Sequence, residues 1–240
     1  MVSAIRRFKI NWRNLVFWAV FLTLAFSLVF VLIMLIRAPD EPEAVFPEAR
    51  TKSDYGLMLL QCLLGLAAMF LPALLEHRIK VVIPSRMLIA YVLFLYGAIY
   101  LGEVRNFYHR IPHWDNILHM FSGGMLGALG YSVVIILNKT GKAPMNLSPF
   151  FVALFSFCFA VTMGVMWEIY EFTFDGLLGL NMQKFLLEDG TPLIGREAVT
   201  DTMYDLIVDC IGALIMSVFG YISLKHEKGW LDRLLLRKRA

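Results

Sequence analysis

Six stretches of this 240-residue chain are each long and apolar enough to cross a bilayer: about residues 14–36, 55–75, 87–104, 117–137, 149–173 and 201–224. A spanning helix needs about 20 mostly apolar residues at a rise of ~1.5 Å each. Backbone immersed in lipid must satisfy its own hydrogen bonds, which makes helices the solution for such segments. The expected fold class is all-α, a polytopic membrane protein of six transmembrane helices forming a single integral membrane domain over residues 1–240. Hydrophobic residues make up 59% of the chain and charged ones 17%, against about 25% charged in soluble domains. That balance excludes an ordinary cytosolic enzyme, and it equally excludes disorder.

Charge sets the orientation. Fifteen of the 22 Lys and Arg residues fall before the first segment, around 76–86, after the fourth segment and in the tail. By the positive-inside rule those regions, and both termini, are cytoplasmic. The first segment follows Arg6, Arg7, Lys9 and Arg13 like a signal peptide, but it is too long and lacks a small-residue cleavage site, so it reads as a retained anchor. The tail from Gly229 to Arg239 is a basic amphipathic stretch suited to an anionic leaflet. Acids run the other way: only Glu76, Glu227 and Asp232 of 19 lie on the cytoplasmic side. Acidic residues contribute little to topology, so this bias requires another cause. Two connections belong to the acidic side. The Pro- and acid-rich loop 37–54 reads as solvated, and 176–200 is longer than a turn needs, with Asn181–Leu187 suited to a short interfacial helix. Cys62, Cys158 and Cys210 sit in apolar runs and suggest neither disulfides nor a thiolate site.

The outward ends of four helices collect the ionisable residues. The third ends in Glu103, followed by Arg105, Tyr108, His109 and His113; the fourth opens Trp114-Asp115-Asn116 and reaches His119. The fifth ends Trp167-Glu168-Ile-Tyr170-Glu171 with Asp175 beyond, and the sixth begins with Asp201, Asp205 and Asp209. Residues three or four apart share a helix face. Asp115 and His119 are therefore neighbours, as are Glu168 and Glu171, and the three aspartates form a stripe descending about 12 Å at ~1.5 Å per residue. The same faces continue as Gly123 and Gly127, Gly164, and Gly212-Ala213. Small residues let membrane helices approach closely, so the fourth, fifth and sixth helices should meet there and converge their acids on an outward-open pocket. An ionisable group inside a spanning helix is a functional-site hypothesis by default. Like charges crowded together need bound protons, bound cations or arginines reaching in from the loops. All three remain open at this level. Several carboxylates with one histidine suit Mg²⁺, Mn²⁺, Ca²⁺, Zn²⁺ or iron.

Four of these runs carry a resemblance. Gly102–Tyr108, Trp114–His119, Trp167–Glu171, and Asp201–Asp205 continued through Gly212-Ala213, in that order, resemble the YjdF-like family, a group of uncharacterised bacterial multi-pass membrane proteins. The likeness covers about residues 55–224. A remoter likeness extends to the VanZ-like membrane proteins, with Asn116 where that pattern has Lys and Glu171 where it has Gln. The resemblance implies a shared pocket and an envelope-lipid role in a bacterium; with the orientation set by charge, the expected location is the bacterial cytoplasmic (inner) membrane with the site on its extracytoplasmic side.

One hypothesis is a metal-dependent membrane hydrolase or transferase acting on a lipid or lipid-linked envelope precursor. There His119, Glu168, Asp205 and Asp209 hold a divalent metal cation, and Glu171 or Asp115 serves as general base. Glu103, Arg105, Tyr108, Asp201 and Arg196 line the substrate, with Arg105 or Arg196 on a phosphate. The partners expected are membrane lipids and the lipid-linked substrate, with no nucleic acid. His-Glu-x-x-His and Gly-x-Ser-x-Gly motifs are absent, and five histidines are too few for a desaturase-type di-iron site. Two other classes stand beside it: a proton- or cation-coupled transporter, and a non-catalytic envelope accessory protein binding a lipid head group.

Overall fold

A computed structural model describes residues 11–39, 50–140, 146–187 and 190–238. The centre of the Pro- and acid-rich loop, residues 40–49, lies outside the described residues, as do Arg6, Arg7, Lys9, Lys142, Arg239 and residues 188–189. Six helices are long and apolar enough to cross a membrane. The first is α1 (Trp12–Arg37); the second is broken into α2 (Lys52–Ala68) and α3 (Leu71–Arg78). The break has a covalent cause, because Pro72 has no N–H to return to the preceding turn. The third span is α4 (Ser85–Leu95), which widens into a π-helical stretch from Tyr96 to Val104. There Arg105 N–H bonds the Tyr100 carbonyl at 2.9 Å, five residues back. Asn106, in the left-handed region at φ 61°, then turns the chain into the short α5 (Phe107–Arg110).

The last three spans are α6 (Trp114–Thr140), α7 (Pro149–Leu178) and α8 (Thr200–Lys225). Helix α7 starts from a Ser148 cap with Pro149 in its first turn and stops at Gly179 in the left-handed conformation. It runs five residues past the expected boundary, so Asp175 is helical rather than beyond the helix. Helices α6, α7 and α8 pack on one another, while α1, α2, α4 and the π-helical stretch form a second group that touches the first mainly through α6.

The two ends of the bundle are distinct. Arg13 near the start of α1 pairs with Glu76 of α3 at 3.7 Å. The strand β1 (Val81–Val82) pairs antiparallel with β2 (Arg237–Lys238) near the C-terminus. The basic regions of the sequence thus share one end. The tail differs from the sequence expectation: it is a short 3₁₀ turn, Trp230–Arg233, whose Leu231 is buried with Leu235 against Tyr131, Val134 and Val152. Ser223 Oγ accepts the backbone N–H of Trp230 at 3.1 Å, and Ser132 Oγ accepts that of Leu236 at 3.0 Å. Leu231 and Leu235 of the tail are thus covered by the protein, while Trp230 stays exposed.

The opposite end carries the long connection. Asn181–Leu187 is not helical, and the reason is local competition by a side chain. The Asn181 amide donates to the Leu186 carbonyl at 2.8 Å and accepts the Leu186 N–H at 2.9 Å. Lys184 between them takes φ 47°, and Leu187 and Phe185 go on to bond Thr191 and Leu193 in a hairpin-like return.

Candidate functional site

Small residues make the site possible. A Cβ on Gly123 of α6 would strike the backbone of Asp209, and one on Gly164 of α7 would strike the Asp209 carboxylate. Two neighbouring helices are therefore shaped around one aspartate of α8. Further along, Gly212 lies against the Met120 carbonyl and Ala213 is fully buried. These close approaches turn the polar faces of α6, α7 and α8 toward each other at the acidic end.

His119 stands at the centre, buried at 7% exposure. Its Nδ1 lies 3.3 Å from Asp209 Oδ2. Its Nε2 lies 3.8 Å from Asp115 Oδ1 and 3.9 Å from Asp205 Oδ2. With the proton on Nδ1 donated to Asp209, the Nε2 lone pair faces the two aspartates. Ser122 Oγ donates to Asp209 Oδ1 at 3.2 Å, and Asn116 Nδ2 donates to Asp205 Oδ1 at 3.1 Å. One donor atom each from Asp115, His119 and Asp205 lies within 4.8 Å of the others, a spacing able to hold a metal ion. Asp209 is placed behind the imidazole, where carboxylates orient metal-binding histidines, rather than in that trio.

Glu168 is buried at 4% exposure, and its oxygens make no short hydrogen bond, with Thr202 and Gln183 the donors close enough to interact weakly. Its polar surroundings are His119, Thr202, Gln183 and Asp201. Glu171 is also buried, but it accepts a bond from the Trp167 indole one turn back, at 2.8 Å. Asp175, placed by the sequence beyond the fifth helix, is buried and accepts the backbone N–H groups of Met182 and Gln183 at 2.8 and 3.0 Å. It clamps the start of the long connection to α7.

That clamp delivers Lys184. Its ammonium bonds Asp115 and both oxygens of Asp201, at 3.1 and 3.2 Å, and lies 6.0 Å from the centre of the Tyr108 ring. Burial opposes the charge, yet the facing carboxylates of Asp115 and Asp201 overcome it and hold the Lys184 pKa above the ordinary lysine range. Burial likewise pushes the Tyr108 phenol well above its usual value, with Asp115 and Glu103 adding to the shift. Over this layer opens a cavity of about 480 Å³ whose lining includes Tyr108, Trp114, Asp115, Lys184, Asp201 and Tyr204.

Of the remaining predicted residues, Glu103 borders this layer and the two arginines lie away from it. Glu103 accepts from Gln61 Nε2 at 2.8 Å rather than pairing with Arg105 or Arg110. Arg105 is exposed and lines a separate cavity with Arg50 and Arg110. Arg196 is exposed and lines neither cavity. Sequence reasoning missed Lys184, Asn116 and Ser122. Lys184 did leave a signal, as the one basic residue between Arg110 and Arg196 on the acidic side.

Among known proteins, an uncharacterized protein of Thermotoga maritima is 31% identical over 150 residues, covering 62% of this chain and 68% of that one. No solved structure matches. Neither finding supports the VanZ-like part of the resemblance. Residues 17–226 match the family described as "Predicted membrane protein (DUF2238)", and the chain belongs to that family of multi-pass membrane proteins.

Proposed function

We propose that this protein binds a divalent cation at Asp115, His119 and Asp205 and uses it in hydrolysis or group transfer on a lipid or lipid-linked envelope precursor. The observation that carries the reading is the donor trio within 4.8 Å, with the buried Glu168 carboxylate facing His119 and making no short hydrogen bond of its own. Ligand bonds of about 2.0–2.4 Å need donor atoms somewhat closer than this, so modest closure completes the site. Glu168 supplies the fourth donor, and Asp209 fixes the imidazole from behind. The cation would supply Lewis-acid activation of water or of a substrate oxygen. With Asp115 among the donors, Glu171 takes the general-base role. The YjdF-like resemblance and the basic end of the bundle support a bacterial inner-membrane setting with the site facing outward.

A through-going transport path is the weaker reading. Below Asp209 the helices close on one another at Gly123, Gly212, Ala213 and Tyr131, whose hydroxyl donates to the Ser217 carbonyl at 2.7 Å. The specific rival is an ion-pair network without a cation, favoured by the bridging of Asp115 and Asp201 by Lys184.

Elemental analysis of gently purified protein separates the two. The cation reading expects roughly stoichiometric divalent metal, lost in both Asp205→Asn and Glu168→Gln and retained in Glu227→Gln at the opposite end. Chelation should lower the Tm, since a ligand at a hundredfold its Kd stabilises by about 2.7 kcal/mol. Metal-free protein whose amide variants are more stable than the parent would replace this reading with the ion-pair network. For orientation, a reporter fused after residue 190 should behave as extracytoplasmic and one after residue 143 as cytoplasmic.

A further inference from the structure

A second cavity, about 370 Å³ in volume, opens at the same end of the bundle on the other side of the 103–110 stretch. It is lined by Arg50, Val104, Arg105, Asn106 and Arg110. Three guanidiniums therefore face one space, and none of the residues lining it is acidic. The Glu103 carboxylate is hydrogen-bonded to Gln61; it attracts Arg50 across space, but the hydrogen bond Arg50 makes to this residue goes to its backbone carbonyl.

Arg50 is built into place. Its Nη2 donates to the Glu103 carbonyl and to Asn106 Oδ1, both at 3.0 Å, and its Nη1 approaches the Met58 sulfur at 3.7 Å. A guanidinium has five N–H donors, so Nε and one Nη1 proton have no partner among the described residues. Arg105 and Arg110 make no side-chain bond to any described residue. The left-handed turn at Asn106 brings these two, five residues apart, onto one cavity. Three like charges gathered with no acid bonded to them among the described residues repel one another, and a bound anion relieves that cost. Guanidinium forks match the paired oxygens of a tetrahedral oxyanion better than a point charge does. The cavity also lies where α2 begins and the third span ends, and the ends of spanning helices are where head groups are met.

We propose that Arg50, Arg105 and Arg110 form a binding site for a phosphate group. A phospholipid or lipid-linked phosphate and a free phosphate share this chemistry. That the bound molecule is also the substrate of the cation site rests on the function proposed above; the binding itself does not.

The test uses the full chain in phosphate-free detergent with a chelator present, so that it cannot fail through the cation site. Calorimetry and Tm are read for three probes: inorganic phosphate, dihexanoyl phosphatidic acid and dihexanoyl phosphatidylcholine. Phosphatidic acid should bind and raise the Tm. In Arg105→Gln/Arg110→Gln the affinity should fall about tenfold or more, while the Tm without ligand should not fall, because both side chains are exposed and unbonded and their mutual repulsion is removed. Arg50→Lys, which keeps the charge and loses the fork, should also bind more weakly. Inorganic phosphate binding as well as phosphatidic acid identifies the ligand as a soluble anion; phosphatidic acid alone identifies a lipid. The proposal is overturned if neither phosphate probe binds, if phosphatidylcholine binds as well as phosphatidic acid, or if the double variant keeps the parent's affinity.

Discussion

The two helix groups are held together by different means. The α1, α2 and α4 group buries Val20, Leu24, Met69, Leu88, Val92 and Leu95, with the rings of Phe17, Phe21 and Phe70 packed edge to face at 5.8 Å. The α6, α7 and α8 group buries glycine, alanine and serine at its helix crossings, with Tyr131, Val134 and Val152 clustered at its lower end, and carboxylates on its upper half. Lipid tails are as apolar as leucine, so helix association in a bilayer rests on close packing and interhelical hydrogen bonds rather than on a hydrophobic drive. Large side chains fill the first group and leave no room for chemistry. Small ones in the second bring the backbones together, and the polar groups above them then face one another at bonding distance. The first group contributes to the acidic end through its edges, by Gln61, Glu103 and Arg50.

The sharpest way to break this contrast is to exchange the kinds of defect. Gly164→Val places branched carbons where the Asp209 carboxylate lies. Overpacking of this kind costs about 1–3 kcal/mol, and here it also displaces the residue that holds His119. Tm and bound metal should therefore fall together. Leu24→Ala, at a fully buried position of the other group, should cost about 2–5 kcal/mol through its cavity yet leave metal stoichiometry at the parent value. Equal metal loss in both variants would show that the two groups are one cooperative unit rather than scaffold and site.

A middle-sized effect is expected at Lys184, and its sign differs between two readouts. Lys184→Met leaves Asp115 and Asp201 without their shared ammonium, so the metal-free protein should lose about 1–3 kcal/mol, the worth of a charge-assisted bond. The same change removes a cation that competes for Asp115, so affinity for added divalent metal should rise about tenfold. Unchanged affinity would place the metal away from Asp115. The pH dependence separates the contributors further. Because Lys184 has its pKa raised in the folded protein, its stabilisation is fully present below the ordinary lysine value of about 10.4 and is lost only as pH rises through the folded one. Between about pH 6 and 9 it is constant. Metal binding should still strengthen with pH across that window, in parent and variant alike, because the ligands must shed protons.

What the sequence made legible follows from periodicity. Six spans, the convergence of α6, α7 and α8, and the meeting of His119 with Asp115, Asp205 and Asp209 all rest on residues that repeat at three or four along a helix. Lys184 and Arg50 lie outside helices, in segments where no period says which way a side chain points. The same holds for the choice of Asp115 over Asp209 as a neighbour of Nε2, which depends on the rotation of one imidazole ring. The failed expectation of a helix over Asn181–Leu187 has its cause in a single residue, Asn181, whose amide bonds the backbone of Leu186 twice.

The smallest expected effect tests how the scaffold hands Lys184 to the site. Asp175 belongs to α7 but bonds only the connection, accepting the N–H groups of Met182 and Gln183. Asp175→Asn keeps the shape and one acceptor oxygen while replacing the other by an amide that cannot accept. One backbone bond should survive as a neutral bond and one should be lost, a cost of about 1–2 kcal/mol. The consequence at the site is indirect. With residues 182 and 183 less firmly held, Lys184 spends less time between Asp115 and Asp201, and metal affinity should rise in the same direction as in Lys184→Met but by a few-fold only. Combining the two changes supplies the check. If Asp175 acts through Lys184, the double variant should bind metal no more tightly than Lys184→Met alone, because the residue being loosened no longer carries a charge. Additive gains in affinity would instead mean that Asp175 shapes the donor trio itself, and the division between a clamp on the connection and a site on the helices would have to be redrawn.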